Sequence, residues 1–196
     1  MMSPGPIVVK VGGSLLDLPD LGLRLRAWLA QQAPSRLLLL PGGGPTADVV
    51  RELDRRHRLG EAASHWLALR CLSVNAWLLS ALLPEVPTQV VGQVSDCAAC
   101  WEHSALPLID AHAFAVGDEG RPGCLPHRWS VTSDSLAARV AAVAAASQLI
   151  LLKSVTVPPG LTWAEAGAAG FVDPFFPEVA GGLPAVRAVN FREWQP

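Results

Sequence analysis

The chain has 196 residues, enough for one domain with a substantial core, and 51% of them are apolar against 16% charged, which excludes a disordered chain and points to extensive burial. A formal net charge of -2 removes any electrostatic case for nucleic acid as the main partner. Cys71, Cys97, Cys100 and Cys124 are too few and too scattered to staple a secreted module of this size, so a reducing cytoplasm is the expected compartment.

The opening MMSPGP lacks the basic start and apolar stretch of an export signal. Residues 6–11 read as a first strand, and LGLRLRAWLA beyond it carries apolar residues at helical spacing with arginines on the other face. SRLLLL is a second strand, closed by Pro41, and TADVVRELDRRHR is an amphipathic helix. Two strand, glycine turn, helix units in succession imply parallel strands joined by crossovers, hence an α/β class. From Glu61 to Leu83 a helix is apolar on nearly every side, ended by Pro84 and Pro87, and is expected to be buried between layers or against a second subunit in a homodimer or larger homo-oligomer. A membrane reading of WLALRCLSVNAWLLSALL, residues 66–83, is disfavoured because Arg70, Ser73, Asn75 and Ser80 would sit in lipid. TQVVG, LPLID and SQLILLKSV supply three further strands, TSDSLAARVAAVAAAS an alanine-rich helix capped by its own Thr or Ser, and PAVRAVN the last strand. VGDEGRPGCLPHR, residues 116–128, is the one obvious long loop and the expected lobe boundary.

Glycines at the carboxyl end of a parallel strand let backbone N–H groups approach an anion, and the next helix aims its positive end at the same spot. Gly12, Gly13 and Ser14 form one such turn, and Gly42, Gly43 and Gly44 a second. Each alone is equally well explained as a tight strand-to-helix turn. The pair, with Lys10 inside a buried strand, points to a polyphosphate or a phosphoryl group in transit, with Lys10 a mobile cation one turn away. Neither run is a Walker loop or a G-x-G-x-x-G fingerprint. Thr132, Ser133 and Asp134 open a helix; the acid either caps it or orients reacting groups and Mg²⁺. Lys153 ends LILLK as a second cation at a strand end, the bland alternative being a snorkelling surface lysine. Cys97-x-x-Cys100 with His103 is half a zinc site and reads better as two small residues on a helix face. No G-x-S-x-G or H-E-x-x-H suggests a hydrolase, and the seven tryptophans lack the basic interleaving of a base-stacking platform.

KVGGS, PGGGPTADVVR, TSDSLAA and LILLKSV, in this order, resemble the amino acid kinase family across nearly the whole chain. The resemblance implies a three-layer α/β/α sandwich with a mainly parallel sheet, an acceptor-binding lobe over residues 1–125 and a shortened nucleotide-binding lobe over residues 126–196 that takes ATP with magnesium. Position by position, it implies that Lys10 stabilises the transferring phosphoryl, Gly12, Gly13, Gly43 and Gly44 cradle phosphates, Asp134 organises the lysines and metal, and Lys153 lies by the nucleotide. ADVVRELDRRHRLGEAASHWLALRCLSVNAWLL, LPHRWSVTSDSLAA and GFVDPFFPEVA further resemble the small archaeal-type kinases of methanofuran biosynthesis. That implies an aminomethylfuran methyl phosphate as acceptor, His65 and Trp66 facing it, and Arg51 on its phosphate, while His65 is equally well read as a hydrogen-bonded core histidine. Two departures stand against the wider family: GGLPAVR puts Val186 where a late G-G-M-x-x-K lysine falls, and the segment after Lys153 is short. They favour a phosphate acceptor and keep open a non-catalytic binding or regulatory relative; a uridylate kinase is the remaining alternative.

Overall fold

The computed structural model describes residues 5–195, so most of the stretch searched for an export signal lies outside the described residues. Six strands form one sheet: β1 Ile7–Val11, β2 Leu37–Pro41, β3 Thr88–Val91, β4 Leu106–Ile109, β5 Gln148–Lys153 and β6 Val186–Asn190. Every pairing is parallel and the order is β3-β4-β2-β1-β5-β6. The chain winds from β1 towards one edge and returns to place β5 on the other side of β1. The reversal therefore falls between β1 and β5, where open α/β sheets leave a crevice at their carboxyl ends.

Helices cover both faces, giving the three layers expected. They are α1 Leu21–Gln31, α2 Gly44–His57, α3 Glu61–Leu82, α4 Cys97–Glu102, α5 Ala111–Asp118, α6 Ser133–Val143, α7 Trp163–Ala168 and α8 Phe176–Ala180. Strand alternation sorts the core. Val8, Leu38, Leu40, Leu149 and Leu151 face α6 and the first half of α3, while Val9, Val11, Leu39, Ile150 and Leu152 face α1 and Phe191. The alanines of α6 (Ala137, Ala138 and Ala141) are fully buried, and small side chains there let the helix sit close to the sheet.

Helix α3 is apolar all round because it serves both layers, the first of the two placements its composition allowed. Leu69 and Leu72 belong to one core cluster and Ala76 and Leu79 to the other, so the helix crosses from face to face past the carboxyl end of β2. Among the described residues no helix is long and apolar enough to cross a membrane. The open loop is shifted from expectation: α5 runs to Asp118, and the irregular stretch follows it up to Thr132. The expected capping of α6 is also corrected, since Thr132 makes no side-chain cap bond. Its amide (3.2 Å) and hydroxyl (2.9 Å) instead donate to Asp173, as does the amide of Ser135 (2.9 Å).

Candidate active site

Lys10 shares the Val8 side of β1, so its ammonium points towards the first turn of α6. It is 4% exposed, and its Nζ lies 2.8 Å from Asp134 Oδ1. Lys153, the last residue of the neighbouring strand β5, places its Nζ 2.8 Å from Asp134 Oδ2. These are the only two lysines of the chain; the other basic side chains are arginines. One buried carboxylate therefore holds both ammonium groups at the β1/β5 reversal. Burial favours the neutral form of Asp134, but Lys10 and Lys153 outweigh it and hold the carboxyl below its ordinary range. Burial, and then repulsion from Lys10, push the Lys153 ammonium below the usual lysine range. The expected mobile cation is corrected here: Lys10 is pinned, because an unpaired ammonium at that depth carries a large desolvation penalty.

The two glycine turns meet. A Cβ on Gly13 would fall 2.2 Å from the Gly44 nitrogen, and one on Gly42 would fall 2.5 Å from the Gly13 nitrogen. Gly44 adopts φ +53°, and a Cβ there would be 2.3 Å from the Gly13 carbonyl oxygen. Bare backbone thus serves first to let the turns touch. Gly12 and Gly42 do not line the adjoining cavity: the Gly12 amide donates to Leu152 O at 2.8 Å, and the Gly42 amide to Val11 O at 2.7 Å. Gly13, Ser14, Gly43 and Gly44 do line it, with Thr132 and Ser133 at the start of α6. Asn75, fully buried in α3, donates through Nδ2 to the carbonyls of both Gly42 and Gly43 (2.8 Å each) and accepts from Thr46 Oγ1 at 3.0 Å. It pins the second turn from the far side. Sequence reasoning noted Asn75 only as a polar interruption of an apolar helix, which was the signal available.

The cavity has a volume of about 160 Å³ and extends along α2 and α3. Leu72 packs by Gly43, whereas His65 stacks on His127 with centroids 5.2 Å apart. Seven residues of helix separate Leu72 from His65, and seven separate Gly44 from Arg51, about 10 Å in each case. Arg51 and His65 therefore line the cavity at its end away from the glycine turns. The Arg51 guanidinium sits over Trp129 at 5.3 Å and pairs with Asp48 at 2.5 Å. Burial, with His127 beside it, pushes His65 below the ordinary histidine range, which keeps the ring neutral. Trp66 is not a wall of the cavity; it packs edge-on against His127 and His112. Cys97 and Cys100 are buried in α4, with the Cys97 thiol pushed up to about 12 by burial. Among the described residues no group of three His, Cys, Asp or Glu side chains is placed to hold a metal.

Comparison with known proteins bears on the family and the fold. The chain is 25% identical over 150 residues to the [5-(aminomethyl)furan-3-yl]methyl phosphate kinase of Methanocaldococcus jannaschii, covering 76% of this chain and 65% of that relative. The chain thus spans a little under two thirds of the relative's length. Its fold matches the UMP kinase of Ureaplasma parvum with a TM-score of 0.72 at 14% identity, covering 97% of this chain and 92% of that one. It matches the aspartate kinase of Synechocystis with a TM-score of 0.64 at 18% identity, covering 93% of this chain and 38% of that one. The model of the amino acid kinase family matches residues 5–156, well over half the chain. Strand order, the paired glycine turns and the Lys10–Asp134–Lys153 cluster thus sit on a sequence that belongs to the amino acid kinase family.

Proposed function

We propose that the protein is an ATP-dependent kinase that transfers the γ-phosphoryl group to a small phosphorylated acceptor, with an aminomethylfuran methyl phosphate of methanofuran-type cofactor biosynthesis as the first candidate. The observation that carries this reading is the convergence of the chain's only two lysines on buried Asp134, beside the contact between two glycine turns. In this reading the acceptor occupies the cavity, most of whose wall comes from residues 1–125 with the start of α6 closing it, and the nucleotide approaches Lys153 from residues 126–196. Lys10 and Lys153 neutralise charge building on the migrating group, while the amides of the turns and of the α6 start orient it. Such chemistry is positioning plus electrostatics and needs no covalent enzyme intermediate. The donor set fits magnesium carried by the nucleotide phosphates rather than held by the protein, because both Asp134 oxygens already face ammonium groups. Bound there, magnesium would screen the phosphate charges.

The test is ADP release from ATP and Mg²⁺ with a panel of acceptors that includes the aminomethylfuran methyl phosphate and UMP, run beside calorimetric titration of ATP. Release of ADP with the furan phosphate supports the proposal, and release with UMP alone reassigns the protein as a uridylate kinase. Binding of ATP with no ADP from any acceptor makes it a binding or regulatory relative.

A further inference from the structure

Asp173 lies outside the stretch matched to the family, on the segment between α7 and α8, and none of the site chemistry above assigns it a role. It is 7% exposed, and donors from two separate elements converge on its carboxylate. From the start of α6 come the amide and hydroxyl of Thr132 and the amide and hydroxyl of Ser135. From the start of α8 come the amides of Phe175 (3.2 Å) and Phe176 (3.0 Å). One side chain therefore ties the first turn of α6 to the carboxyl-terminal segment. That turn contains Ser133, which lines the cavity, and Asp134, which holds both lysines. A half-ångström displacement of a helix start is enough to separate ion pairs held at hydrogen-bond distance, so the alignment of the lysine pair depends on what fixes this turn.

Resting on the kinase reading above, we propose that Asp173 is a positioning residue: it locks the first turn of α6, and through it Asp134 and the lysine pair, in the arrangement that phosphoryl transfer requires. The short carboxyl-terminal segment then acts as a clamp on the reacting face as well as a cover. The test compares native protein, Asp173→Asn and the milder Ser135→Ala, which removes a single buried donor to the same carboxylate. Folded Asp173→Asn should lose about tenfold or more in kcat with acceptor KM changed less than about twofold, and Ser135→Ala should lose severalfold in the same parameter. A readout independent of turnover comes from ¹³C-labelled lysine, since the chain yields only two lysine side-chain signals. Both signals should shift in each variant, and the Lys153 signal, which the Asp173 charge supports, should titrate at lower pH in Asp173→Asn. If Asp173→Asn does not fold, Ser135→Ala decides. Unchanged lysine signals in a folded variant, or a lowered melting temperature with native kcat and native signals, overturn the proposal. Lysine signals that shift in the variants while the native protein releases no ADP would instead sink the kinase reading and leave the clamp standing.

Discussion

Removing Lys10 leaves Asp134 with one ammonium in a site that water barely reaches. Lys10→Ala is expected to lower stability by about 3 kcal/mol, the usual penalty for breaking a buried pair, and to slow ADP release at least about 100-fold, measured by urea unfolding and a coupled assay. Asp134→Asn leaves two buried ammonium groups facing each other and should destabilise the fold by about 3–5 kcal/mol. The sign of its pH dependence follows from the lowered carboxyl. Because the folded value lies below the ordinary 3.8, its stabilisation is present above that pH and is lost as pH falls through the folded value. Unfolding followed from pH 7 to pH 2 should therefore show a steep acid limb in the native protein and a flatter one, from a lower start, in Asp134→Asn. At this scale Lys10 was legible because a lysine inside an apolar strand needs a partner. Its pinning was not, since Asp134 lies more than a hundred residues away.

The glycine turns were legible as elements but not as contacts. Spacing marked Gly12–Gly13 and Gly42–Gly44 as strand ends; that the turns press on one another follows only from β1 and β2 lying side by side. Gly44→Ala meets both a positive φ and the Gly13 carbonyl, so it should force the turns apart and lower both activity and melting temperature, measured by turnover and thermal unfolding. Asn75→Leu keeps the apolar character of α3 but strands the Gly42 and Gly43 carbonyls. It should cost about 1–3 kcal/mol in urea unfolding, and a native midpoint would show that the clamp is dispensable. The capping of α6 by Asp173 was illegible for the same reason as the lysine cluster: local pattern pointed to Thr132, and a residue 41 positions later took the role.

For the whole molecule, the α/β class and parallel sheet followed from alternating strand and helix patterns, whereas α4, α5, α7 and α8 were too short to leave a periodic trace. Helix α3 still exposes Val74 (60%) and Trp77 (63%) after serving both core layers. We expect this face to pair with a second copy, so that Trp77→Asp halves the mass seen by sedimentation equilibrium; a native monomer at micromolar concentration would remove that expectation. The central claim concerns the lysine pair. Its most direct measurement is single-turnover ADP formation on the best phosphorylated acceptor, in the native protein and in Lys10→Ala, with acceptor affinity followed in parallel. The account predicts a fall of at least about 100-fold in the rate with affinity largely kept. A variant that forms ADP at the native rate would contradict it.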